Sequence, residues 1–371
     1  MKVAIVHDWL VDYRGGERVL EAICELYPQA PIYTLFFDAK RLPSSLKNRD
    51  IRYPKFLKPF GFLRKALLPF LPTFIEAMPL SSFDLIISTS SCVAKGVIPS
   101  PMARHICYLH SPMRYIWDQK EEYLGRLLRF WPTQLLVESL LRRLRIWDVC
   151  SSARVDQFVV NSTFVGQRVA RYYRREFKVI PPPVDLAFFK QAVFSPKKQY
   201  FLVFGAFVPY KRFDLAIQAC NELGVELVVA GNGPLEKKLR HLGGPSVRFV
   251  VNPTQEEVRE LFSQAKALIF PQIEDFGISA IEALAAGAPL IALKKGGALD
   301  FVEEQINGFF FAEQTVESLK AALLSFDSFE LNQESIVKSS ESFDKCNFLQ
   351  RFAAEVEATI RTMSDEPKAS I

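Results

Sequence analysis

Two carboxylates, Glu274 and Glu282, stand eight positions apart in "PQIEDFGISAIEALAAG", residues 271–287. The preceding "ALIF" reads as a buried strand and "PQIEDFG" as a loop. "ISAIEALAA" reads as a helix that Gly287 and Pro289 end. Gly277 then lies at the helix start and Glu282 about one turn inside. The first amides of a helix are free donors with a positive partial charge, which suits a phosphate. A carboxylate aimed at that phosphate would repel it, whereas acids beside it can accept neutral hydroxyls. The pattern fits a diphosphate with a sugar at each end, a nucleotide sugar. The same acids also suit an ordinary helix start, where the dipole favours negative charge, so both readings stand at this point.

A second stretch, "GAFVPYKRFDLAI", puts Lys211 and Arg212 immediately before a helix expected to begin near Phe213. Two cations there oppose the helix dipole. An anion held between them and the first amides would remove the conflict; solvated loop charges are the alternative. Weaker signals sit at other strand ends. "RGGERVL" follows the first strand, and Gly15 and Gly16 would let the backbone approach a ligand. His110, in "CYLHSPMRYIWD", and His7 with Asp8 also end strands; a lone histidine at such a place is more often structural than catalytic. "VVAGNGPLEKKL" has Gly231 and Gly233 but Glu236 where a third glycine would complete a dinucleotide fingerprint. That departure argues against a nicotinamide-dependent oxidoreductase. No Asp-x-Asp and no ligand cluster is present, so catalysis without a metal or other cofactor is expected.

These residues need a scaffold of strands whose ends carry loops. The chain alternates short apolar runs with amphipathic stretches: "KVAIVHDW", "APIYTLFF", "FDLIISTSS", "RHICYLH" and "QFVVNS", then "YFLVFGAF", "VELVVAGNG", "VRFVVNP", "KALIFPQ" and "APLIALKKGG". Such alternation predicts an α/β chain with parallel sheets covered on both faces. Prolines 181–183 break the series. Residues 1–183, with a C-terminal helix from about 347 to 371, are expected to form one Rossmann-like domain, and 184–346 a second, with a cleft between them. Ligands of such sheets bind at the carboxyl ends of strands.

The length of 371 residues and a hydrophobic content of 49% allow two sizeable cores. Up to Asp185 there are 27 Lys and Arg against 17 Asp and Glu; beyond it, 19 against 24. A basic first half suggests an anionic partner, or plain solvated charge. Six scattered cysteines without a CxxC fit small buried hydrophobes in a reducing compartment. The first residues open on a strand and no apolar run approaches about 18 residues, so neither a signal peptide nor a transmembrane helix is expected.

Taken together, Glu274-x7-Glu282, "FVPYKRFDLAI", "VVAGNGPLEKKL" and "RGGERVL" resemble the family 4 glycosyltransferases, over nearly the whole chain. The resemblance implies the GT-B fold, two Rossmann-like domains facing each other across a deep cleft, and transfer with retention of anomeric configuration. It implies that Gly15 and Gly16 approach the donor phosphates and that Lys211, with Arg212 beside it, neutralises the diphosphate. Glu282 would bind the nucleotide ribose and Glu274 hydroxyls of the transferred sugar, with amides near Phe276, Gly277 and Ile278 supporting sugar and phosphate. His110 would lie near the donor sugar, and the base near Gly231, Asn232, Val250 and Val251. Relatives commonly carry arginine where this chain has Ala206, so one contact to the diphosphate is expected to be missing. The wording of "GGERVL", "HSPMRYIWD" and "VPYKRFDLAI" is similar to mannosyltransferases of surface polysaccharide assembly that use GDP-mannose.

The acceptor implied is a glycan or lipid-linked molecule. Residues 55–78 mix Lys55, Lys58, Arg64 and Lys65 with Phe and Leu, and residues 124–148 repeat the theme with Trp131 and Trp147. Basic amphipathic segments can lie on anionic lipid, or pack as helices with basic outer faces. The expected place is the cytoplasm, peripheral on the inner face of the membrane. No nucleic-acid motif appears, so no nucleic-acid partner is expected.

Overall fold

The computed structural model describes residues 1–63, 66–118, 131–192 and 200–365. The chain divides into two compact units, Met1–Pro182 with Phe348–Ile371, and Pro183–Asn347.

The first unit is built on a parallel sheet of seven strands: β1 (Val3–His7), β2 (Ile32–Thr34), β3 (Ile51–Arg52), β4 (Leu85–Ser90), β5 (Arg104–Leu109), β6 (Gln157–Val160) and β7 (Lys178–Val179). Their order is β3-β2-β1-β4-β5-β6-β7. The second unit has six parallel strands: β8 (Phe201–Ala206), β9 (Leu227–Asn232), β10 (Val247–Val251), β11 (Ala267–Phe270), β12 (Leu290–Leu293) and β13 (Gly308–Phe311), ordered β10-β9-β8-β11-β12-β13. The two-residue edge strands β3 and β7 and the "GFFF" of β13 were not among the runs singled out from sequence. Two residues carry no periodicity, and four apolar residues between turns fit a strand or a helix equally.

Each sheet is buried on both faces, which is why its strands read as near-continuous apolar runs. In β11 the side chains alternate: Leu268 and Phe270 join one core with Leu202, Val228 and Leu290, while Ala267 and Ile269 join another with Phe201, Val229 and Ile291. Helix Ile278–Ala285 covers the first of these faces through Ala280, Ile281 and Leu284, and helices Phe213–Leu223 and Val316–Phe326 cover the second. In the first unit, helix Gly15–Leu26 buries Val19, Leu20 and Ile23. Helix Lys345–Asp365 brings Phe348, Phe352 and Val356 to the same core at fourfold spacing.

In both sheets the order reverses at one place. The chain leaves β1 toward β2 and β3 and returns on the other side with β4; it leaves β8 toward β9 and β10 and returns with β11. At such a switch point the loops after the two central strands diverge and leave a crevice at their carboxyl ends. The loops after β8 and β11 carry Lys211 and Glu274.

Candidate active site

In the second unit the switch point brings the sequence-derived residues together. Lys211 ends a short turn, Pro209–Lys211, and its ammonium donates to the Glu274 carboxylate, with both side chains largely buried. The ammonium also lies 5.7 Å from the Tyr210 ring centroid. This salt bridge links residues 63 positions apart in the chain. Arg212 takes the left-handed conformation at φ 51° and caps helix Phe213–Leu223. Its guanidinium turns back to Asp214 at 3.2 Å and donates to the Gln314 side-chain amide oxygen at 3.3 Å. Asp214, in the first turn of that helix, therefore offsets the cation that the sequence left unexplained.

Gly277 caps helix Ile278–Ala285, with Ile278 as its first residue, and Phe276 is buried against Phe301 and Phe343. Glu282 is buried one turn inside. The first turn of that helix thus begins four residues after Glu274 on the same loop. Gly231 and Asn232 end β9, and Val250 and Val251 end the neighbouring β10 half-buried. Asn232 donates to Asn252 at 2.6 Å across the two strand ends. Gly231 has a structural reason of its own: at φ 137° a Cβ there would lie 1.8 Å from the Gly205 carbonyl oxygen. Ala206 is exposed at the end of β8.

The sequence reading missed the groups that brace this loop. The Gly297 amide donates to the Glu274 carbonyl at 2.8 Å, and a Cβ on Gly297 would meet the Asp275 carbonyl oxygen and the Phe276 Cα at 2.6 Å. Only glycine lets "KKGGALD" lie this close. Gln314 donates to the Pro271 carbonyl at 2.8 Å, tying the loop to Arg212. The Gln272 side chain is buried, and its amide oxygen has no hydrogen-bond partner among the described residues. A double glycine was the available signal.

In the first unit, Gly15 and Gly16 are not a loop but the first turn of helix Gly15–Leu26. Glu17 reaches back to the Arg14 amide at 2.8 Å and so fixes the helix start. The His110 ring packs against Gly16, where a Cβ would stand 3.6 Å from Nε2. That nitrogen is buried without a hydrogen-bond partner among the described residues. Burial, aided by the nearby charge of His7, lowers the His110 pKa to about 3, so the imidazole is neutral at physiological pH. His7 Nδ1 lies 2.5 Å from the Thr89 hydroxyl, and its Nε2 lies 3.6 Å from Glu17. Burial pushes the Glu17 carboxyl up, but the hydrogen bond and charge of His7, with the Glu17 and Arg14 amides, outweigh it and hold the pKa below the ordinary value. Asp8 is an anchor rather than a reactive acid: its carboxylate accepts from the amides of Ser91, Cys92, Val93 and Ala94.

Cys24, Cys92, Cys107 and Cys220 are buried, as small hydrophobes would be, whereas Cys150 and Cys346 are exposed. Among the described residues no group of three His, Cys, Asp or Glu is placed to hold a metal, and no helix is long and apolar enough to cross a membrane. Of the basic amphipathic stretches, Arg64, Lys65 and residues 124–130 lie outside the described residues.

Two family models match the chain. "Glycosyltransferase Family 4" covers residues 13–188 and "Glycosyl transferases group 1" covers residues 185–342. Together they span residues 13–342, and the fold is that of the GT-B glycosyltransferases. An uncharacterized glycosyltransferase of Methanocaldococcus jannaschii is 25% identical over 169 residues, 44% of this chain and 48% of that protein. The O-antigen chain mannosyltransferase C of Escherichia coli is 27% identical over 132 residues, 33% of this chain and 36% of its own length. The chain thus spans about half or less of these relatives. Among solved structures, Anabaena HepE in complex with UDP superposes with a TM-score of 0.67 at 16% identity, over 96% of this chain and 100% of that one. At that identity the likeness speaks for the fold; HepE has also been solved with UDP-glucose.

Proposed function

We propose that the protein is a retaining glycosyltransferase, independent of metal, that moves a hexose from a nucleotide sugar to a glycan or lipid-linked acceptor. The observation that carries this reading is the convergence of Lys211, Glu274 and the start of helix Ile278–Ala285 at the switch point of the second sheet. A diphosphate placed there would meet one ammonium and a set of helix amides. To reach Lys211 it must displace Glu274, and the freed carboxylate would then accept from hydroxyls of the transferred sugar. Glu282 would take the ribose, and the strand ends at Gly231, Asn232, Val250 and Val251 the base. Gly15, Gly16 and the neutral His110 are proposed to serve the phosphates and the sugar.

The chemistry asked of these groups is electrostatic. As the bond from the anomeric carbon to the diphosphate breaks, negative charge grows on the leaving oxygen; Lys211 and the amides stabilise it more than they stabilise the bound donor. The leaving phosphate oxygen takes the acceptor proton. Mannose from GDP-mannose is the donor we favour, on the wording of the motifs and the Escherichia coli relative; the UDP-bound HepE keeps UDP-sugars in the same panel. A second reading, a weak nucleotide-sugar binder, rests on Ala206 standing at the end of β8.

Attachment to anionic lipid is proposed on the exposed Lys55, Phe56, Phe60 and Phe70 of the first unit. The test of function is a melting-temperature panel of GDP-, UDP- and ADP-sugars followed by release of free nucleoside diphosphate. A ligand of the folded form raises the midpoint by mass action. Turnover retained in both Lys211→Ala and Glu282→Ala would remove the site assignment.

A further inference from the structure

The first unit has a cavity of about 560 Å³ that the donor reading does not use. It lies where the loops after β1 and β2 part, at the carboxyl ends of two neighbouring strands, a position where open α/β sheets take ligands. Val11, Phe36 and Phe37 give it an apolar side; Asp12, Asp38, Lys40, Arg41 and Lys58 give it a charged one. Asp12 is neutralised within the wall, accepting from Arg41 at 2.8 Å and from Arg14 at 3.2 Å. Lys40 and Lys58 are exposed and have no carboxylate partner among the described residues. Asp38 accepts from the Lys40 amide at 3.1 Å, and with Asp12 it leaves two carboxylates against three cations, so the wall keeps a net positive charge beside an aromatic surface and a carboxylate with lone pairs to spare.

We infer that this cavity is a binding site for an anionic saccharide, a sugar phosphate or sugar acid, whose charged group meets Lys40 and Lys58 while its ring lies against Phe37 and its hydroxyls reach Asp12. A neutral sugar would leave the two ammonium groups unused, and a bare anion would leave the apolar side and the carboxylate unused. The site deepens the function proposed above, resting on it for its role: it makes the acceptor, or the part of the acceptor next to the reacting hydroxyl, a charged sugar.

Isothermal titration with glucose 1-phosphate, glucose and inorganic phosphate tests this, on the full chain saturated with whichever of UDP or GDP raises its melting temperature. Glucose 1-phosphate should bind at least about tenfold more tightly than glucose or phosphate. Lys40→Ala/Lys58→Ala should weaken it about tenfold or more while leaving the nucleoside diphosphate within twofold. Both lysines are exposed, and an unchanged melting temperature verifies folding of the variant. Equal affinity for the three probes, or glucose 1-phosphate binding untouched by the double variant, overturns the proposal. So does a double variant that loses sedimentation with phosphatidylglycerol vesicles yet keeps the sugar phosphate, which would give these lysines to the membrane. A chain that ignores both nucleotides but binds glucose 1-phosphate through Lys40 and Lys58 would sink the glycosyltransferase reading and leave this site standing.

Discussion

Each unit holds a buried lysine opposite a carboxylate, and the two pairs differ in how completely they are satisfied. In the first unit Lys95 is fully buried. Its ammonium donates to the Asp148 carbonyl and the Ser151 hydroxyl, both at 2.6 Å, and lies 3.1 Å from the Asp148 carboxylate. The Tyr173 and Trp147 rings stand over it at 4.8 and 5.4 Å. Asp148 in turn accepts from Trp117 at 2.8 Å and from Tyr173 at 2.9 Å. Asp148 Oδ2 takes both of these hydrogen bonds, and Oδ1 is left, among the described residues, facing the Lys95 ammonium alone. In the second unit Lys211 has, among the described residues, a single carboxylate, Glu274, on a loop at a strand end, and both side chains keep some exposure. The first arrangement fixes a fold; the second is the pair proposed above to exchange its carboxylate for a diphosphate. Partner count and position at a switch point, more than burial, separate them.

The largest effects should fall on opposite properties. Lys95→Met leaves Asp148 charged and unpaired in the interior, which costs about 3–5 kcal/mol of stability. Urea denaturation should register it, and a loss under about 1 kcal/mol would dissolve the distinction. Lys211→Ala leaves the partly exposed Glu274 unpaired, so it should cost less stability than Lys95→Met, about 1–3 kcal/mol, and lower turnover roughly 10²–10³-fold, as losing one leaving-group donor does. A variant that unfolds instead would make Lys211 structural.

Gly297→Ala tests the brace behind Glu274. The added Cβ collides with backbone at 2.6 Å, so the loop must shift. Since a 1 Å misplacement can cost on the order of 10²-fold, turnover should drop by about that factor, with stability falling by only about 1–3 kcal/mol. Full activity would show that the loop does not need this contact.

His105 sharpens the comparison by pH. Its ring is buried between the Ser88 hydroxyl at 2.8 Å and the Arg154 carbonyl at 3.1 Å, and burial lowers its pKa to about 4. The unfolded chain takes up a proton at about pH 6.5 while the folded chain does not. Stability is therefore complete above that pH, declines as pH falls toward 4, and loses about 2 kcal/mol by pH 5. His105→Gln should flatten that slope between pH 7 and 5 in thermal melts; an unchanged slope assigns it to other groups. Ala206→Arg has the smallest expected effect, nucleotide affinity raised by about tenfold, read by titration, and no gain would mean that the position lies away from the phosphates.

Much of this was legible in the sequence because it is local. Period and turn residues gave the ten principal strands. A glycine, an acid at the strand end and an acid one turn into the helix marked the Glu274–Glu282 segment, and cations misplaced against a dipole marked Lys211. The missing parts depend on contacts distant in sequence. Asp8 had the look of a strand-end acid, but amides more than 80 residues away consume it. Thr89 and Glu17 align His7 from two other elements, and Gly297 and Gln314 brace a loop whose contacted residues precede them by 23 and 43 positions. Lys95 gave no signal, because its partners come from a helix some 50 positions on.

The claim on which the account rests is that Lys211 is held by Glu274 until a diphosphate replaces it. Calorimetric titration of UDP and GDP into wild type, Lys211→Ala and Glu274→Gln addresses it without an acceptor. Glu274→Gln removes the competing charge and should bind the preferred nucleoside diphosphate roughly tenfold more tightly than wild type, while Lys211→Ala binds it at least about tenfold more weakly. Equal affinity in all three proteins would contradict it.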